Sequence, residues 1–176
     1  YDRLKNSGAK IVVTTKELYP RIEKIEKDLP DLKKIVFADN LERLLNRFSA
    51  KIRCQPMNPS DPAFMLYTSA TGNTPVCGIV IPHKALIQQH ITAKWVLDLK
   101  ENDIYWYTGD PGWVTGVAYG ILAPWSLGVS QVVFEGRFDP QKWYSIIEGY
   151  KVSVLYTAPT AIRMLKKESN LTKKYN

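Results

Sequence analysis

Two short stretches of this 176-residue chain gather residue types that could do chemistry. The first is Thr68-Ser69-Ala70-Thr71-Gly72-Asn73-Thr74. A turn of this composition can wrap an anion, because consecutive backbone amides converge on one concavity and the hydroxyls add neutral donors. It is not a Walker loop, which needs Lys before Ser or Thr at the start of a helix. The same residues also make an ordinary turn. The second stretch, Asp110-Pro111-Gly112-Trp113-Val114-Thr115-Gly116, encloses a Trp, a β-branched Val and a hydroxyl between turn formers. An aromatic wall, a small apolar contact and one donor suit a pocket for a small, partly polar ligand. A Trp anchoring a helix entry reads equally well from composition.

Little else in the chain offers reactive groups. Cys54 and Cys77 form no CxxC pair, which excludes a disulfide framework and a thiolate zinc site and makes the cytoplasm the default compartment. His83 and His90 stand seven apart on a predicted helix without further ligands nearby, so both read as structural or surface residues, and no metal site is assigned. No catalytic side chain is singled out. The net charge of +7 sits at the ends: residues 1–61 carry thirteen basic and nine acidic side chains, residues 62–162 six and seven, and residues 163–176 five and one. Fifteen of the twenty aromatics fall in the near-neutral middle, so basic and aromatic residues do not interleave as a nucleic-acid platform requires. No apolar run approaches the roughly 20 residues of a membrane span, and the first residues do not form a secretory signal. The start without Met reads as the interior of a longer protein.

The elements that must position these stretches follow from hydrophobic periodicity. Residues 10–14 and 35–38 read as strands, 18–29 and 41–48 as helices, giving a βαβα opening over residues 1–48. Residues 49–62, with three prolines and no hydrophobic period, read as an exposed connector. Beyond it, 63–68 and 76–81 are strands flanking the Ser/Thr loop, and Pro82 opens a predicted helix to about Leu97 with Leu86, His90, Ala93 and Leu97 inward. Strands at 103–108, 131–135 and 152–157 alternate with helices at 140–150 and 159–167. Gly112, Gly116 and Gly120 recur every four residues, which on a helix leaves a strip free of side chains for close packing. The expected class is α/β, with alternating strands and helices in a largely parallel sheet.

The motifs together resemble a known family. Phe64-Met65-Leu66-Tyr67-Thr68-Ser69, Asp103-Ile104-Tyr105-Trp106, Asp110 to Gly116, Phe134-Glu135-Gly136 and Tyr156-Thr157-Ala158-Pro159-Thr160-Ala161-Ile162-Arg163 are similar to the acetyl-CoA synthetases, which are AMP-forming, adenylate-forming ligases. The resemblance implies that residues 1–176 are an internal part of the large N-terminal AMP-binding domain, with 63–176 carrying the site motifs. It implies a reaction in which acetate attacks the α-phosphate of MgATP to give acetyl-AMP and pyrophosphate, after which the CoA thiol displaces AMP. ATP, CoA and Mg²⁺ are the implied cofactors. Thr68 to Thr74 would be the ATP phosphate loop, Trp113, Val114 and Thr115 the acetate pocket, and Thr115 with Asp139 would lie toward CoA. Many family members have Asn at the position of Asp139.

Departures from the family set a second expectation. The family loop runs close to T-S-G-T-T-G-x-P-K-G, whereas this chain has Ala70 for a Gly, Val76-Cys77 where the Lys falls, and one extra residue. These changes imply weak or absent phosphate binding, since a cation and a permissive glycine are both gone. Segments that complete the nucleotide and Mg²⁺ sites in the family have no counterpart in these residues. The chain alone is therefore expected to be inactive, either complemented by another polypeptide or persisting as a folded remnant or interaction module. A fragment of a related short-chain acyl-CoA synthetase is the further alternative.

Overall fold

The computed structural model describes residues 1–67, 77–168, 170, 171 and 173–175. The Ser/Thr loop from Thr68 to Thr74 lies outside the described residues. Two compact units divide the chain, Tyr1–His83 and Lys84–Asn176.

In the first unit, α1 (Asp2–Ser7) precedes β1 (Ile11–Thr14), and β1 pairs in parallel with β2 (Lys34–Phe37). Helix α1 has no counterpart in the hydrophobic pattern. It stops where Gly8 takes a left-handed conformation and its N–H closes on the carbonyls of Leu4 and Lys5. The single helix expected over 18–29 is instead one turn, α2 (Pro20–Glu23), and a 3₁₀ turn at Glu26–Asp28. Pro20 has no N–H to extend the helix backward, and Ile25 leaves the helical region, so the run breaks although Leu29 is still buried. Tyr19 packs edge-on against Phe37 at 5.3 Å, tying this crossover to β2. After α3 (Leu41–Leu45), residues 49–60 are exposed and form neither helix nor strand. A hairpin of β3 (Pro62–Tyr67) and β4 (Gly78–Pro82) follows, antiparallel, with Tyr67 opposite Gly78.

The second unit is built on a three-stranded parallel sheet of order β6-β5-β7, where β5 is Ile104–Tyr107, β6 Ser130–Val132 and β7 Val154–Tyr156. Helix α4 (Ala85–Trp95) starts after Pro82, which belongs to β4, and its inward residues are Gln89 and Ala93 rather than the predicted Leu86 and His90. His83 lies before the helix, while His90 Nδ1 meets Ser126 Oγ at 3.0 Å. Ser126 Oγ also lies 2.7 Å from the Ala123 carbonyl, to which it can donate. From β5 the chain enters a helical run of α5 (Val114–Val117), a π-helical segment (Ala118–Leu122) and α6 (Ala123–Ser126), then β6. Buried Pro124 cannot donate to the carbonyl of Gly120, and the widened π turn absorbs that misfit. Helix α7 (Pro140–Tyr150) leads to β7, and α8 (Pro159–Lys167) follows it.

Successive side chains of β5 point to opposite faces. Tyr105 is fully buried with Ala93 of α4, Ala123 of α6, Leu99 and Val129, while Trp106 is buried with Trp143 of α7 and Leu165 of α8. One face of the sheet is thus covered by α4 and α6, the other by α7 and α8. The expected Gly strip is realised in part. Gly112 falls in the turn before α5, but a Cβ on Gly116 would stand 2.7 Å from Pro111 Cα, and one on Gly120 would stand 2.8 Å from Tyr107 Cδ1. At the start of the sheet, Asp103 accepts from the Lys100 amide and the Ser153 hydroxyl, both at 2.8 Å, and Ser153 Oγ accepts from the Ile104 amide.

Gly116→Ala should cost about 1–3 kcal/mol in urea unfolding, because the clash is with backbone rather than a movable side chain. The Lys100 amide and the Ser153 hydroxyl hold the Asp103 carboxyl below its ordinary value of 3.8. A depressed pKa stabilises the fold above that value and loses its contribution as pH falls below it. Asp103→Asn should therefore flatten the acid limb of the melting temperature below about pH 4.

Candidate functional site

Neighbouring strands whose outgoing helices lie on opposite faces leave a crevice at their carboxyl ends. β5 and β7 are such a pair, since β5 feeds the helical run ending in α6 and β7 feeds α8. A cleft of about 550 Å³ opens there, within the size range of small-molecule sites. Thr108 and Thr157, one residue beyond each strand, share a hydroxyl–hydroxyl hydrogen bond of 2.6 Å, and the Thr108 amide donates to the Tyr156 carbonyl. Phe138 and Trp143, 4.7 Å apart edge-on, form an aromatic wall, and the first turn of α8 contributes Thr160 and Ala161. Among the described residues the lining contains no Asp, Glu, His, Cys, Lys or Arg. Such a site can bind and orient a largely uncharged ligand through hydroxyls and aromatic surfaces. Its described side chains offer no carboxylate, imidazole, thiol or amine for acid–base work or metal binding, and phenols and aliphatic hydroxyls are among its polar groups.

The positions singled out in the second unit stand differently to this cleft. Thr115, in the first turn of α5, lines it, and its Oγ1 meets the Tyr107 hydroxyl at 2.9 Å. Trp113 and Val114 are not among the lining residues and are 65% and 53% exposed. The Asp110 carboxylate accepts from the Gly112 amide at 2.6 Å and its carbonyl from the Trp113 amide, which is how the turn delivers Trp113 to the helix start. Asp139 caps α7, accepting from the Lys142 amide at 2.8 Å. Asn caps as well as Asp, so the Asn of many family members would keep this role. Burial, with a smaller contribution from Tyr156, Tyr107 and Tyr119, pushes the Tyr105 phenol up, so it stays neutral beneath the cleft.

In the first unit, the described residues reach the two ends of the Ser/Thr loop. Asn6 of α1 holds both: its Oδ1 accepts from the Tyr67 hydroxyl at 2.8 Å and from the Gly78 amide at 3.2 Å, and Tyr67 also donates to the Arg3 carbonyl. Periodicity gave no hint of Asn6, because it acts through a polar contact spanning seventy-two positions. Tyr107, Thr108 and Thr157 were also missed as site residues. The available signal was hydroxyls placed directly after two strands. Among the described residues no group of three or more His, Cys, Asp and Glu gathers as a metal site. No helix among them is long and apolar enough to cross a membrane.

Asn6→Ala should lower stability by about 1–2 kcal/mol and speed hydrogen exchange at the Gly78 amide more than at amides inside β1.

A sequence model of the AMP-binding enzyme family matches residues 2–176. The acetyl-coenzyme A synthetase of Bacillus subtilis is 47% identical over 174 residues, covering 93% of this chain and 30% of that protein. Among solved structures, the Brucella canis acyl-CoA synthetase superposes with a TM-score of 0.80 at 27% identity, over 94% of this chain and 31% of that one. The anthranilate CoA ligase AuaEII, solved with anthranoyl-AMP, does so at 0.80 and 25% identity over 90% and 31%. The chain thus spans about 30% of the length of the curated relatives it matches. With the family's sequence pattern running through nearly every residue and its α/β architecture shared with acyl-CoA synthetases, the chain belongs to the AMP-binding enzyme family.

Proposed function

We propose that this chain is the acyl- and CoA-facing part of the N-terminal domain of an acetate–CoA ligase. The observation that carries the reading is Thr115: it follows Trp113 and Val114 directly in sequence, yet its hydroxyl lies on the cleft between β5 and β7. One residue thereby borders both the acetate pocket implied by the resemblance and an uncharged channel. CoA ends in a pantetheine arm of neutral amides and a thiol, which matches a lining of hydroxyls and aromatic rings without acidic or basic side chains among the described residues. In the complete reaction, acetate would be activated on MgATP as acetyl-AMP, and the thiol would then take the acetyl group from AMP. Thr115 would orient the incoming arm and Trp113 would limit the acyl chain. Charge stabilisation during adenylation would fall to ATP-bound Mg²⁺ and to donors that the cleft does not contain. The chain alone is read as inactive, with the remaining groups supplied by another polypeptide or by the rest of a longer chain in the cytoplasm.

The altered residues Ala70 to Cys77 favour a second reading, a folded remnant without catalysis. Calorimetric titration separates the two. Pantetheine should bind with a millimolar Kd, and Thr115→Val, which keeps shape and removes the hydroxyl, should weaken it about three- to tenfold. An acetyl-adenylate analogue with Mg²⁺ should bind weakly at most. No heat from pantetheine at millimolar concentration, with the fold intact, would leave the remnant reading.

A further inference from the structure

We infer that Tyr107 is a positioning residue that sets the direction of the Thr115 hydroxyl at the mouth of the cleft. Three separate features fix the Tyr107 ring. Tyr156 packs edge-on against it, with centroids 5.3 Å apart at 79°. Gly120 lies flat on it, where a Cβ would stand 2.8 Å from Cδ1. Gly109 does the same near the phenol end, where a Cβ would stand 2.6 Å from Cζ. Two glycines and an aromatic partner thus make room for one side chain at the end of the central strand. A ring held on these sides places its hydroxyl within narrow limits, and that hydroxyl meets Thr115 Oγ1 at 2.9 Å.

The consequence lies in what Thr115 is left to do. Thr115 is an exposed residue in the first turn of a helix, where a threonine hydroxyl divides between two rotamers. The carbonyl four residues back, which often captures such a hydroxyl, belongs to Pro111 in the turn outside the helix. The partner is instead the immobile Tyr107, which selects one rotamer. When Tyr107 donates, the Thr115 proton is free to point at a ligand carbonyl, and the two hydroxyls polarise one another. Such an arrangement orders a ligand-facing donor before the ligand arrives, which reduces the ordering cost of binding.

The contact with Thr115 is independent of any ligand, whereas its functional weight rests on the CoA-side reading above. Both are tested with Tyr107→Phe, which keeps the ring and removes only the hydroxyl. With labelled threonine methyls, the three-bond couplings of Thr115 Cγ2 to the backbone carbonyl and nitrogen report χ1. The native chain should show single-rotamer values and the Phe variant averaged ones, while Thr157, held by Thr108, stays unchanged in both. Pantetheine Kd should rise about three- to tenfold in the variant. Single-rotamer couplings for Thr115 in the Phe variant overturn the inference. Averaged couplings with an unchanged pantetheine Kd overturn its functional part and reduce Tyr107 to a structural contact. Averaged couplings in a chain that does not bind pantetheine support the positioning of Thr115 and remove the CoA-side reading instead.

Discussion

The second unit depends on β5 being buried on both faces. Tyr105 and Trp106 are adjacent in sequence, 0% and 1% exposed, and directed into separate cores. A strand with two large aromatics back to back must be covered on each side, so the chain has to send helices both ways. The helical run after β5 covers the Tyr105 side; α7 and α8 cover the Trp106 side. The order β6-β5-β7 then leaves the carboxyl ends of β5 and β7 without a helix across them. The cleft is therefore a product of connectivity, and its lining is whatever follows those two strands: Thr108 and Gly109 after one, Thr157 to Thr160 after the other.

Close approach at this end of the sheet comes from missing side chains and from one misfit. Gly116 lets the helix lie against the backbone of Asp110 and Pro111, which fixes where α5 begins and hence where Thr115 stands. Gly120 admits the ring of Tyr107, and the π turn that contains it accommodates Pro124 four residues later. These three features fall within a single helical run, so Tyr107 and Thr115 are brought together by backbone geometry before any side chain chooses a rotamer.

The sequence made the strands legible because they are short β-branched or aromatic runs, and all seven occur close to where periodicity places them. The α/β class and the parallel pairing followed from their alternation with helices. The errors were polar or stereochemical. Ile25 left the helical region in a run whose apolar spacing was intact and which began only at Pro20, and Pro82 ended a strand where a helix start was expected, since a proline suits either place. Helix α1 was invisible because none of its residues is buried; it is held by a glycine cap and by Asn6 reaching Tyr67 and Gly78. At the site, Thr115 was legible through its motif, but Tyr107 was not. A tyrosine at a strand end reads as core until Gly109, Gly120 and Thr115 are seen around it.

The distribution of charge separates two tasks that a full ligase must join. The described lining of the cleft carries no acidic or basic side chain, which on the proposed reading suits a thiol arm. Forming an adenylate asks for the opposite, since negative charge builds on the pyrophosphate and must be met by cations and oriented amides. In the resemblance that second task belongs to residues 68 to 74, and between Ala70 and Cys77 this chain loses a glycine and a lysine and gains a residue. On either side of the stretch, Tyr67 and Gly78 face one another across the hairpin, and Asn6 holds both. The strands that flank it are joined by the β3–β4 pairing and by Asn6, neither of which involves a lysine.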